Sequence, residues 1–388
     1  MLPCEQKNRQ PNGCTDELKN CSEVSVRPFT GDNSSFQQFV QQAWSDAYSG
    51  KMAFPVWSAE YFDWQFNLEQ NPNRRLAAYV GDQLVAVMAG SEAEFCTSSG
   101  QVFSGAHYSW LSVASAYRGH KLAKQLDSAR VAHEQSLNSD LVVSYRFHGS
   151  KHSLAERPSA STGARSTGAQ STAAQSTMIS AKQFNRRMGF WARPLHPTAL
   201  RKWNHNRVEG WMAQLAAPVL PKVRHSQSAE IRSFRAEDLT ACYRLVTRQQ
   251  SKFVISNHWS ERRLRWQLSG HQVSQTVVAE DEGLVSGFVN FHVLPFQGRT
   301  LQPIGIIDLC CCGQLSFKRR RQLLNEVLHR MKQQGAILAL KSRTADVSST
   351  LMLRTGFSPR PADSALVFQW MGVPNPISSS GAIRLLWR

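Results

Sequence analysis

One run of the chain carries residues whose types and spacing suit chemistry: Leu111-Ser112-Val113-Ala114-Ser115-Ala116-Tyr117-Arg118-Gly119-His120-Lys121-Leu122-Ala123-Lys124-Gln125-Leu126. The pattern predicts an apolar strand, a short turn and the start of a helix. A helix start offers unpaired N–H groups and the positive end of the helix dipole. A phosphate-bearing ligand can rest there. Gly119 permits backbone angles that let successive amides converge on an anion. Arg118, Lys121 and Lys124 add positive charge. The plain alternative is an ordinary strand, turn and helix with a solvated basic face. Groups able to carry protons lie nearby. Glu92 and Glu94 alternate on one predicted strand and so share a face. His107 and Tyr108 open the strand that runs into Val113. Each of these also has a purely structural reading.

The elements that must position these residues occur twice. Val26-Arg27-Pro28-Phe29 returns as Ile231-Arg232-Ser233-Phe234, and Trp64-Gln65-Phe66 as Trp266-Gln267-Leu268. The stretch from Leu76 to Ala86, with Gly81-Asp82-Gln83 at its middle, returns from Thr276 to Gly287 around Asp281-Glu282-Gly283. Arg187-Met188-Gly189-Phe190 returns as Arg354-Thr355-Gly356-Phe357. Polar turn residues between apolar runs predict a β-hairpin in each copy. Strand Ser109–Val113, helix Lys121–Ser136 and strand Leu141–Phe147 have counterparts in Gly305–Cys312, Lys318–Gln333 and Ala336–Lys341. Each copy therefore reads as a mixed α/β unit.

The copies differ in length: 125 residues separate Trp64 from Gly189, and 90 separate Trp266 from Gly356. The excess contains Ser161-Thr162-Gly163-Ala164-Arg165 and two near-copies of it, small polar residues that cannot build a core. The expected organisation is a disordered leader over 1–22 and a first domain over 23–197 with an insertion at about 150–180. A packed connector over 198–228 follows, with Trp203, Trp211 and Leu215 on an apolar helical stretch. A second domain over 229–371 and a tail over 372–388, its Trp387 and Arg388 exposed, complete the chain.

Bulk properties narrow the function. The 388 residues carry a formal charge of +17, which favours anionic partners: nucleic acid, anionic lipid or a polyanionic cofactor. No run of about 18 apolar residues spans a membrane, and the first residues lack the apolar stretch of a signal peptide. Cys310, Cys311 and Cys312 sit in a predicted strand, where consecutive side chains point to opposite faces and cannot converge on one metal. Cys4, Cys14 and Cys21 have no His partner at zinc-finger spacing. The expectation is no metal, no disulfide framework and a reducing, cytoplasmic setting.

The Leu111–Leu126 segment resembles the acetyl-CoA-binding motif of Gcn5-related N-acetyltransferases (GNATs), Arg/Gln-x-x-Gly-x-Gly/Ala after an apolar strand. Arg118 matches the first position and Ala123 the last; Lys121 stands where the family has glycine. Gly189-Phe190 and Gly356-Phe357 resemble the Gly-Phe that ends the last helix of a GNAT domain. The tandem arrangement is similar to that of tandem GNATs, and the resemblance covers 23–197 and 229–371. It implies two GNAT-like domains, each a mixed, mostly antiparallel sheet flanked by helices. It also implies transfer of an acyl group, usually acetyl, from coenzyme A to the amine of a small molecule or peptide. The pyrophosphate would lie on the amides of Arg118, Gly119, His120, Lys121, Leu122 and Ala123, beside Lys124. Pantetheine would pair along Leu111–Val113, where a strand amide would stabilise negative charge on the thioester oxygen.

An attacking amine must lose a proton to a carboxylate, a His or a relayed water, so Glu92, Glu94 and His107 are the candidate bases. At the position where the family often has a Tyr general acid stands Asn185, beside Phe184. Tyr145, His148 or water would then protonate the thiolate. In the second copy, Lys318, Arg319, Arg320 and Arg321 replace the glycine-containing turn, and that copy is expected not to bind coenzyme A. The competing classes are a non-catalytic CoA- or partner-binding protein and a nucleic-acid binder. No aromatic–basic recognition motif supports the last.

Overall fold

The computed structural model describes residues 24–66, 73–147, 183–360 apart from 217, 219 and 227, 364–377 and 381–387. The expected leader and the Ser-Thr-Gly-Ala insertion lie outside the described residues, as does His148.

The first copy starts with β1 (Val24–Pro28), α1 (Asn33–Tyr48), β2 (Phe54–Pro55) and α2 (Ala59–Phe66). Asp32 caps α1 by accepting the Ser35 amide at 2.7 Å. Then come β3 (Arg75–Val80), β4 (Gln83–Thr97), β5 (Val102–Val113), α3 (Leu122–Ser136), β6 (Leu141–Phe147), β7 (Gln183–Met188) and β8 (Phe190–Pro194). Two helices connect the copies, α4 (Pro197–Trp203) and α5 (Arg207–Ala216). The second copy runs β9 (Ile231–Ser233), α6 (Leu239–Gln250), β10 (Ile255–His258), α7 (Glu261–Ser269), β11 (Ser274–Asp281), β12 (Leu284–Gln297) and β13 (Leu301–Cys311). It closes with α8 (Phe317–Gln333), β14 (Leu338–Ser342), α9 (Ser349–Arg354), β15 (Ser358–Pro359), β16 (Ser364–Trp370) and β17 (Ile383–Arg384).

The hairpins expected from the repeat are present. Gly81 at φ 59° lies in the turn between β3 and β4, and Glu282 and Gly283 at φ 51° and 77° make the turn between β11 and β12. Both hairpins carry a bulge at the matching place, after Ala78 and after Ala279.

Two mixed, mostly antiparallel sheets result. One orders β1-β3-β4-β5-β6-β16-β7 and the other β9-β11-β12-β13-β14-β8-β15. Strand for strand they correspond, except that β8 and β16 have changed places. Each sheet thus contains a strand from the other copy. The edges exchange too: β10 pairs with β4, and β2 pairs with β12. Neither sheet is a contiguous stretch of chain. The Trp repeat lies on the pseudo-twofold axis. Trp64 Nε1 donates to the Trp266 carbonyl at 3.3 Å, and Trp266 Nε1 to the Trp64 carbonyl at 2.7 Å.

Three sequence expectations change. Gly189-Phe190 does not follow a helix; it sits at the crossing from β7 in one sheet to β8 in the other, and only Gly356-Phe357 follows a helix. Residues 383–387 of the expected tail are not exposed, and Arg388 lies outside the described residues. Ile383, Leu385 and Leu386 are buried, and Trp387 packs on Phe190 with ring centroids 5.3 Å apart. The connector is packed through residues that include Ala199, Leu200, Trp203 and Val223, but Trp211 and Leu215 face outward.

Candidate functional site

β5 and β6 run parallel and pair from Gly105↔Leu141 to Tyr108↔Ser144. Beyond that point both continue without pairing to each other. The cause is on the other side of β5, where the β4 register jumps from Ala89↔Ser109 to Val87↔Ser112. Trp110 and Leu111 therefore stand opposite Met88 alone, and such a bulge takes peptide groups out of the ladder. Trp110 is held at φ 55°, which a Cβ-bearing residue adopts at a cost. Its ring is wedged between Phe62, Phe66 and Trp57 at centroid distances of 5.4, 5.4 and 6.4 Å, which offsets the strain. Leu111 keeps 42% of its surface exposed.

The gap leads to the turn before α3. Gly119 takes φ 92° and Lys121 φ 61°. Glycine at the second position would relieve the left-handed strain, but the lysine side chain projects into solvent and leaves the backbone path intact. No side chain caps α3, so its first-turn amides remain available to an anion. His120, Ala123 and Lys124 are exposed there, and Leu122 is buried in the core. Arg118 sits differently from the expectation. Its guanidinium donates to the Val113 carbonyl at 3.2 Å and the Ala43 carbonyl at 2.8 Å, tying β5 to α1. It fixes the turn from behind.

The second copy closes the same site. Ser316 caps α8 by accepting the Arg319 amide at 3.4 Å. Arg320 donates to the carbonyls of Leu315 and Gly313 at 2.7 and 2.6 Å. Where β13 and β14 cease to pair, the buried Lys341 donates to the Asp308 carbonyl at 3.5 Å and to Thr344 at 2.9 Å and forms an ion pair with Asp346 at 3.0 Å. Cys310, Cys311 and Cys312 are buried free thiols. No cluster able to hold a metal occurs among the described residues.

Three of the four described proton-transfer candidates meet at a cavity of about 70 Å³ between the copies. Glu92, Glu94 and His107 line it together with Asn257, Arg263, Trp266 and Leu386. Arg263 of α7 pairs with Glu92 and lies 4.0 Å from Glu94. His107 is buried, with Nε2 3.0 Å from Asn257 Nδ2. Asn257 Oδ1 accepts the Leu386 amide at 3.0 Å, so its amide nitrogen faces the ring and His107 Nε2 is an acceptor. That lone pair is already engaged. Tyr145 lies outside this cavity and donates to the Leu386 carbonyl at 2.7 Å. Tyr108 turns away to Glu134, 2.8 Å distant, and burial followed by that carboxylate pushes its phenol well up. Asn185 pairs by its backbone with Val367. Arg263, Asn257 and Leu386 come from the second copy. Only the strand exchange brings them here, and no local pattern announces it.

No protein-family model matches the chain, and no curated protein sequence does. Solved structures do. An N-myristoyltransferase of Saccharomyces cerevisiae, with bound myristoyl-CoA, superposes with a TM-score of 0.69, covering 99% of this chain and 94% of that one at 15% identity. A GCN5-related N-acetyltransferase from Anabaena variabilis gives a TM-score of 0.50 over 89% and 72% at 10% identity. This is a tandem GNAT fold. At these identities the likeness is one of fold. Both copies have parallel strands that cease to pair beside a bulge, but the uncapped helix start after them occurs in the first copy, whereas Ser316 caps the corresponding helix of the second.

Proposed function

We propose that the chain is an N-acyltransferase that takes an acyl group from acyl-coenzyme A in its first copy and delivers it to an amine. The parted strands β5 and β6, ending at the uncapped start of α3, carry this reading. Pantetheine extends along Leu111–Val113, and the pyrophosphate rests on the amides from Gly119 to Ala123 beside Lys121 and Lys124. The bulge at Trp110 and Leu111 supplies amides outside the ladder for the thioester oxygen. Amine attack on the thioester carbon expels the coenzyme A thiolate, which takes up a proton. The acceptor amine, from a small molecule or a peptide, reaches this point from the cavity between the copies. Glu94, held by Arg263 less closely than Glu92 is, receives its proton through water, and His107 and Asn257 order the wall. The free buried thiols support a reducing, cytoplasmic setting.

Acetyl is the acyl group that the acetyl-CoA motif implies. A fatty acyl group is the second reading, favoured by the superposition on an enzyme solved with myristoyl-CoA. Thiol release and product mass, followed with acetyl-, octanoyl- and myristoyl-CoA against peptide and small-amine panels, separate the two. Release with an acylated amine supports transfer. Tight acyl-CoA binding without release from any acceptor points to a binding protein.

A further inference from the structure

We propose that the outer face of α5 docks the protein on an anionic lipid surface. Among the described residues, ten large apolar side chains remain exposed, and four of them lie on this one helix: Val208, Trp211, Met212 and Leu215. Their spacing puts them in a single stripe. Each is more than half exposed, from 55% at Trp211 to 68% at Val208. A helix on a globular protein ordinarily turns such a stripe inward. Here α5 packs the other way round. Its contact with α4 runs through Gly210, where an added Cβ would stand 3.0 Å from the Arg201 Cα. Gln214 accepts from Arg201 at 2.8 Å, and Glu209 accepts from Arg360 at 2.5 Å. The polar side is thus anchored to the body of the protein, and the apolar side is presented outward.

The charge around the stripe selects the partner. Residues 197–226 carry five cations, Arg201, Lys202, Arg207, Lys222 and Arg224, against one acid, Glu209. That acid is already paired with Arg360. Cations close in sequence to an apolar stripe that contains Trp suit the boundary between headgroups and acyl chains. Each Lys or Arg near an anionic leaflet adds to the attraction. The net charge of +17 acts in the same direction. A neutral apolar partner would gain nothing from this charge.

Co-sedimentation of the full chain with vesicles tests the proposal. Phosphatidylcholine vesicles containing phosphatidylserine are expected to carry the protein down, less so as salt is added, and phosphatidylcholine alone is not. The paired change Trp211→Ser and Leu215→Ser alters only exposed side chains, so the melting temperature should hold while vesicle affinity drops about tenfold or more. Undiminished binding by that variant, or equal binding to neutral vesicles, overturns the proposal. So does absence of vesicle binding combined with a dimer that the variant dissociates, which would give the face to a second copy of the chain.

Discussion

Lys121 sits at φ 61°, a backbone conformation that suits glycine. Replacing it with glycine removes the left-handed strain and adds unfolded-state freedom, effects of opposite sign. Lys121→Gly should raise stability by about 1 kcal/mol, seen as a higher denaturant midpoint with an unchanged slope. Arg118 contrasts with it. The guanidinium bonds two backbone carbonyls, one of them 75 positions away on α1. Arg118→Ala should therefore lower stability by about 2 kcal/mol as well as weakening ligand binding. A variant that keeps wild-type stability and loses only binding would return Arg118 to direct phosphate contact. The sequence made the turn legible because glycine, cations and a helix start lie within seven residues, from Arg118 to Lys124. It hid the use of Arg118, because the Ala43 carbonyl leaves no mark on composition or spacing. The same holds for His107, whose partner Asn257 is 150 positions away.

The starts of α3 and α8 occupy matching places and differ in their caps: Ser316 caps α8, and no side chain caps α3. An anion gains from the first and finds the second already satisfied. Lys124→Glu, in the first turn of α3, should weaken acyl-CoA binding about tenfold. Arg321→Glu, exposed on α8, should leave it unchanged; calorimetric titration of both variants checks the asymmetry. α8 also anchors the connector. Burial works to raise the carboxyl of Glu326, but the Ser226 amide, Arg330 and His225 outweigh it and hold it below its usual range. A lowered carboxyl contributes stability above its unfolded value and loses it as the pH falls through the folded one. Glu326→Gln should therefore destabilise the protein at neutral pH, and the gap should close below about pH 4. Denaturant midpoints at the two pH values measure it. The hairpins, and the strand–helix–strand order after them, were readable from repeated turn residues and apolar periodicity; the last helix expected before Gly189 was not found, since β7 stands there. The caps that distinguish the copies were partly readable, since Ser316 precedes a helical run. The burial of Lys341 depends on its contacts with Asp346 and Thr344, which no period reveals.

Across the whole molecule the two copies are woven together. β8 and β16 have exchanged sheets, β2 and β10 cross at the edges, and the paired tryptophans bond across the axis. One core joins Trp57, Tyr61 and Trp64 to Leu294, Phe296 and Ile337. The repeat predicted two units correctly in kind, but an apolar strand fits either sheet equally well, so the exchange left no trace in sequence. The buried end had a signal, the apolar run Ile383-Arg384-Leu385-Leu386-Trp387, which reads as a strand once a neighbour is supplied. Residues 24–228 made alone should fail to fold, because their sheet lacks β16 and β10. Their recovery as a folded, cooperatively melting fragment would refute this. The most direct test of the account is a titration of acyl-CoA into the full chain, read for stoichiometry in the wild type and in Lys124→Glu. One site per chain, weakened by that single reversal, is the predicted result. Two sites per chain, or affinity indifferent to Lys124, would contradict the assignment of the acyl-CoA site to the first copy.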